Sequence, residues 1–465
     1  MLNISGLNSI SSQNIYQAKA DKVNSAPVSA PQVHFNALNN VSVPFKALPS
    51  FGAPRLRTSL SNNDEKNKYN TVTAHLDKKT KKNLNELLKT GKLLDANSND
   101  RSTTLDNLYK IATNSRVAGL SSEKILAEVI NKIHHPYSIT QKFGDIPAQM
   151  QQEILNNENK TANRPVEASE LNVHSSTCPA ASIEFNLAHK MPAEFARIAD
   201  GLTSEKMSVT KNLKLNELSQ STIDIIWMLN EFNIPHQLDS WNELTVELKP
   251  DRNAIVRARV QNTYQDAGER SPLDVLMQST FMNVGAQNTY NSLNDKRIPK
   301  YNDDDGGLTD IEKNFAEEMV TGKGRVCVTY QKIEYTDDPN SQNGKLVGYE
   351  CQPQETLQHI TDTLKGGDNV IIGYIYTDDS NNVIGGHEIT ITGIEKGKDG
   401  KKYFVCNDTD DGIEAPIKYP VDEFLPKIHH AGIPLNVLEG KVEFVDGWRE
   451  LMQYYKESKT ASQAA

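Results

Sequence analysis

Residues 385–408 open as Gly385-Gly386-His387-Glu388-Ile389-Thr390-Ile391-Thr392-Gly393, turn at Lys396–Gly400, and return as Tyr403-Phe404-Val405-Cys406-Asn407-Asp408. Apolar and polar residues alternate on both sides of the turn, which predicts two antiparallel strands. The two glycines free the strand entrance and admit close approach by another chain or a substrate. His387 follows them and shares a strand face with Ile389 and Ile391. A hairpin returns the end of the second strand, Asn407 or Asp408, to the side of His387. That supplies a base and a group to orient it, as nucleophilic catalysis requires. Strand parity separates Asn407 from Asp408, and both stay open as the orienting group. Cys406 falls on the face of Asp408 and reads as a packing residue.

Working outward, further strands are expected at Arg325–Tyr330 and Val370–Tyr376. Leu244, Val246 and Leu248 alternate, a turn follows at Lys249–Asn253, and Ala254, Val256, Ala258 and Val260 alternate again, which reads as a β-hairpin. Ser271, Pro272 and Asp274 give a capped helix start ahead of Leu273, Leu276, Met277 and Val284. Helices followed by an antiparallel sheet predict an α+β domain over about 161–445. Before it, residues 69–160 show helical faces at Leu76, Leu84, Leu87 and Leu88 and at Ile125, Val129, Ile130 and Ile133, broken by Pro136 and Pro147. This reads as a small helical cap or regulatory domain. Residues 1–68, rich in Asn, Ser, Ala and Pro without periodicity, read as a disordered leader. Trp448, Leu451, Met452 and Tyr455 mark a C-terminal helix in a tail over 446–465.

A second stretch carries chemistry. Ser175-Ser176-Thr177-Cys178-Pro179-Ala180-Ala181-Ser182-Ile183-Glu184-Phe185 reads as a loop entering a helix. Proline suits the first helical position because its missing N–H would be unpaired there. That puts Cys178 at the N-cap, at the positive end of the helix dipole, where a thiolate is stabilised. Cys327, Cys351 and Cys406 have no such setting and read as core residues.

A cysteine at a helix start, a later Gly-His opening an alternating strand, and an Asn or Asp closing the next strand resemble the papain-like cysteine peptidases. Bacterial bacteriocin-leader peptidases are the nearer likeness, with Thr409 where their second-half motif has proline. The resemblance spans roughly 165–430. It implies a helical lobe carrying the cysteine, an antiparallel sheet carrying the histidine and acid, and a peptidase or amidase acting on peptide or protein substrates. It implies Cys178 as nucleophile, His387 as general base and then acid, and Asp408 as orienting group, with Asn407 in reserve. The backbone N–H of Cys178 would bind the oxyanion. Asn172 stands where the family carries a second donor, a glutamine. A transglutaminase or deamidase with the same triad, or a non-catalytic papain-like binding scaffold, is the alternative. The separation of 209 residues between Cys178 and His387 exceeds the roughly 130–150 of papain-type enzymes, which predicts an insertion at about 205–325. The leader and cap are placed as propeptides are in this family, and so to regulate access to the cleft.

The rest of the composition narrows the function. The chain has 465 residues, 50 Lys+Arg against 60 Asp+Glu, and a net charge of −10. Five of the basic residues and one acid lie in residues 1–63, leaving a body too acidic for binding to a nucleic-acid backbone. No apolar run is long enough to span a membrane, and the first 30 residues lack a secretory apolar block. A cytoplasmic protein, or one exported without a conventional signal peptide, is expected. Four cysteines without CxxC or Cys/His clustering predict no metal and no cofactor. No pattern sets an oligomeric state. Thr309 and Glu312 read as a capping box rather than the end of a calcium loop beginning at Tyr301. The doublet His429-His430 reads as the end of a helix before Gly432 and Pro434.

Overall fold

The computed structural model describes residues 56–142, 144, 146–158, 176–219, 222–264, 268–286, 288–297, 307–334, 344–410 and 412–438. The expected tail helix around Trp448 lies outside them, as do residues 1–55 of the leader. The fold is α+β.

Its centre is a six-stranded antiparallel sheet. The strands lie in the order Ile417–Pro420, Lys402–Asn407, Val383–Lys396, Val370–Thr377, Ile428–Pro434 and Arg325–Thr329. Thr390 pairs with Asn407 and Ile391 with Cys406, so the expected hairpin forms, with an irregularity at Ile391/Gly393. One face carries Val370, Ile372, Ile389, Ile391 and Phe404 into a core shared with Ile360 and Phe424, from helices Pro353–Lys365 and Val421–Phe424. The other face turns Ile371 toward the helical layer. There the Cys178–Lys190 helix lies against the Val383–Lys396 strand, and Ser182 Oγ donates to the Glu388 carbonyl at 3.5 Å.

The N-terminal helices are built from local signals. Helix Lys78–Lys89 starts on Asp77, which accepts from the amides of Lys79 and Thr80, and buries Leu84 and Leu87. Thr103 and Asp106 form a capping box ahead of helix Thr104–Thr113. Helix Ser122–His134 turns Ile125, Val129, Ile130 and Ile133 inward. Residues 56–68, which composition assigns to the leader, carry helix signals that the structure bears out. Asn62 caps Glu65 and Arg57 pairs with that carboxylate at 2.6 Å, so the first described helix begins at Asn63. Leu84, Leu108, Ile125 and Ile130 belong to the same continuous core as Ile183, Phe185, Phe195 and Phe281. Each such side chain contributes about 1.5–3 kcal/mol by burial. The helices of 63–134 are therefore built into the body that carries Cys178.

Three expectations are corrected. The strand Glu243–Leu248 exists, but it pairs with Val209–Lys214 and His236–Leu238, and residues 254–264 form a helix. Ala254, Arg257, Ala258 and Gln261 are buried at helical spacing, and that period overrides the apparent alternation. His429 and His430 lie in the sheet strand Ile428–Pro434, not at a helix end; His430 Nε2 meets Glu388 Oε1 at 3.1 Å across the sheet. Cys178 is the first residue of its helix and Thr177 is the N-cap, so Pro179 takes the second position, where its missing N–H is equally harmless.

The segment expected as an insertion is not peripheral. Helix Pro272–Gly285 within it is buried along its whole length and packs on the Cys178–Lys190 helix. Its start is the expected one, with a capping box between Ser271 and Asp274. Thr309 and Glu312 form theirs as well.

Candidate active site

Cys178 sits on the first turn of its helix, half-buried. Thr177 before it has φ −94° and ψ 17°, and its hydroxyl makes no capping bond to the helix. His387 enters from the sheet, paired with Tyr374 on the neighbouring strand. The Tyr374 ring stands edge-on to the imidazole, with centroids 5.8 Å apart. Asp408 follows directly after the strand Lys402–Asn407 and turns back toward the sheet.

The histidine joins the two other groups. Its Nε2 lies 2.8 Å from Asp408 Oδ1. With Nε2 taken, Nδ1 is the ring nitrogen available to the Cys178 thiol. Burial opposes charging of the imidazole, but hydrogen bonds to Asp408 and Cys178 and the charges of both outweigh it, so the His387 pKa is raised to about 11. The Asp408 carboxyl is held down despite its own burial, through the hydrogen bond and charge of His387, the Asp410 amide and Tyr419. The Asp410 N–H donates to Oδ1 at 3.1 Å and the Tyr419 hydroxyl to Oδ2 at 3.2 Å. Tyr419 in turn stacks on Phe424, centroids 4.6 Å apart and planes within 13°. Both carboxylate oxygens are thus occupied and the acid has one orientation.

Of the two candidates for the orienting group, Asp408 is the one in contact. Asn407 is buried in register with Thr390, three residues along from His387, and its Nδ2 is enclosed without a hydrogen-bond partner. Asn172 lies outside the described residues. His189 is at the far end of the Cys178 helix, 3.0 Å from Asn369 Nδ2, and burial lowers its pKa to about 4. The other three thiols are set apart from Cys178 by burial, which keeps them protonated. Burial raises Cys327 and Cys406 and pushes Cys351 up to about 11.

Beneath the Cys178 turn runs a buried polar chain that sequence reading passes over. Gln278 on the Pro272–Gly285 helix accepts from Thr177 Oγ1 at 2.9 Å and donates to Glu184 Oε2 at 3.0 Å and to the Thr140 carbonyl at 2.9 Å. Lys132 and Asp274 pair at 2.7 Å beside it. Burial raises Glu184 well above the usual carboxyl range, with Asp274 adding to it. A signal was present. A helix as apolar all round as Leu273–Val284 must be enclosed, so its Asp274 and Gln278 needed partners. Tyr419 had no such signal, because its contact depends on how two strands pair.

Among the described residues, no group of three or more His, Cys, Asp or Glu side chains is arranged to hold a metal ion. No described helix is long and apolar enough to cross a membrane. Comparison of the chain with family models, with curated proteins and with solved structures returns no match.

Proposed function

We propose that this protein is a cysteine-dependent hydrolase of peptide or amide bonds, with a papain-like arrangement of helical lobe and sheet, acting on a peptide or protein substrate. The observation that carries the reading is His387, which is held by Asp408 at 2.8 Å on one nitrogen and interacts with the Cys178 thiol. An imidazole held by a carboxylate and in contact with the thiol can take the thiol proton, giving a thiolate–imidazolium pair.

In the reaction the Cys178 sulfur adds to the carbonyl carbon, and the C=O electron pair moves to oxygen as a tetrahedral oxyanion. The Cys178 amide, at the first helical position with no intrahelical partner, is a donor for that charge. His387 passes its proton to the leaving amine as the C–N bond breaks, leaving a thioester. It then takes a proton from water, whose oxygen attacks the thioester carbon. The C–S bond then breaks, the acid product leaves, and the thiolate is released beside the protonated His387, restoring the starting pair. Asp408 holds the ring orientation and offsets the imidazolium charge throughout.

The test is hydrolysis of casein and of a fluorogenic peptidyl amide by the full-length protein and by Cys178→Ala. Cleavage by the wild type that the variant lacks is the expected result. Equal behaviour of the two proteins overturns the proposal.

A further inference from the structure

Gln278 has no exposed surface, and its single amide makes three bonds, two to the Cys178–Lys190 helix at Thr177 and Glu184 and one to the Thr140 carbonyl. The Thr140 carbonyl can only accept, which fixes Nε2 on its side and turns Oε1 toward Thr177. An N-cap threonine ordinarily spends its side-chain oxygen on the amide of the second or third helical residue. Here the second position is Pro179, which has no N–H, and the Thr177 hydroxyl donates to Gln278 instead. The side chain of the residue just before the nucleophile is therefore held by a neighbouring helix, while its carbonyl accepts from Ala181 of its own.

The same amide reaches the acid side of the site. It holds the Thr140 carbonyl. Thr140 Oγ1 and the Gln141 N–H both donate to the Thr409 carbonyl at 3.0 Å, and Thr409 Oγ1 donates back to Gln141 Oε1 at 3.0 Å. Arg270 clamps the Gln141 carbonyl from below, at 3.0 Å from Nε and 2.8 Å from Nη2. A continuous run of bonds thus leads from the neighbour of Cys178, through Gln278 and the 140–141 segment, to the neighbour of Asp408.

We infer that Gln278 is a positioning residue that sets the thiol-bearing helix turn in register with the His387–Asp408 pair. The inference rests on the proposed hydrolase reading. An amide is the group required, because the site needs one acceptor and two donors. An ionised glutamate offers no donor, and methionine fills the space but forms none of the three bonds.

The test is the rate of carbamoylmethylation of Cys178 by iodoacetamide against pH, in the full-length wild type, Thr177→Val, Thr177→Ser, Gln278→Met and His387→Ala, with thermal unfolding measured alongside. Loss of one buried hydrogen bond that holds the pair corresponds to a rate about tenfold lower near pH 6. Thr177→Val and Gln278→Met should show that loss, with the acid limb moved up by about one pH unit, and Thr177→Ser should restore the wild-type limb. A merely structural role would lower the unfolding midpoint and leave the limb where it was. Folded Thr177→Val with the wild-type limb overturns the inference, and this single-hydroxyl change decides the matter if Gln278→Met does not fold. A wild type without fast alkylation near pH 6 that depends on His387 instead sinks the hydrolase reading itself, so the two failures are distinct.

Discussion

Replacing Asp408 by asparagine removes a charge and keeps the shape. In the wild type its Oδ1 stands 2.8 Å from His387 Nε2, and both side chains are about nine-tenths enclosed. A hydrogen bond to a charged group contributes about 1.5–3 kcal/mol, and 1.36 kcal/mol corresponds to one pKa unit. Asp408→Asn should therefore lower the His387 pKa from about 11 by roughly one to two units. The basic limb of kcat/KM on a peptidyl amide reports loss of the imidazolium, so it should move down by the same amount. The sign for stability follows from the raised pKa. The contribution of His387 is fully present below its unfolded value of about 6.5 and is lost as pH rises through about 11. The lowered Asp408 carboxyl contributes only above its ordinary value of about 4, so the gap in unfolding free energy between wild type and Asp408→Asn should be largest from there to neutrality, shrink toward pH 11, and shrink again in stronger acid. A basic limb that stays in place in a folded Asp408→Asn protein would refute the reasoning.

Tyr419→Phe removes the bond to Asp408 Oδ2 while keeping the stack on Phe424, so kcat should fall by about three- to tenfold with KM unchanged, and an unchanged kcat would contradict it. Starting the chain at residue 161 strips Leu84, Leu108, Ile125 and Ile130 from the core they share with Ile183 and Phe185. The shortened protein should unfold or aggregate instead of gaining activity, as circular dichroism and size-exclusion chromatography would show. A β-carbon at Gly432 would lie 3.1 Å from Glu317 Oε2 and 3.3 Å from Lys313 Nζ, both buried, so Gly432→Ala should lower stability by about 1–3 kcal/mol in urea titration.

The legible parts of this protein are those whose cause is local. The strands at Val383–Lys396 and Lys402–Asn407 follow from alternation and one polar turn, and the helix at Pro272 from a serine–aspartate capping box. Cys178 stands out because a cysteine and a proline sit together at a helix start. Sequence left Asp408 and Asn407 open because they differ by one step of strand parity. The choice fell to the residue just past the strand, which is free to turn back onto His387. Residues 254–260 hide their helix because alanine and valine at every second position fit both periods, and the buried Arg257 and Gln261 carry the deciding helical spacing. The His429-His430 doublet has no local mark of a strand, and its place between two other strands is a property of the whole sheet. The merging of the N-terminal helices into the body was hidden for a similar reason. Their apolar faces show that they are buried but not against what.

Sulfur carrying negative charge beside a protonated ring is the central state of the proposed site, and carbamoylmethylation of Cys178 near pH 6 reads it most directly. The predicted result is a Cys178 rate at least tenfold above that of glutathione under the same conditions, reduced to the glutathione level in His387→Ala, with Cys351 and Cys406 unmodified in the folded protein. A Cys178 rate no faster than glutathione, and the same with or without His387, would contradict it.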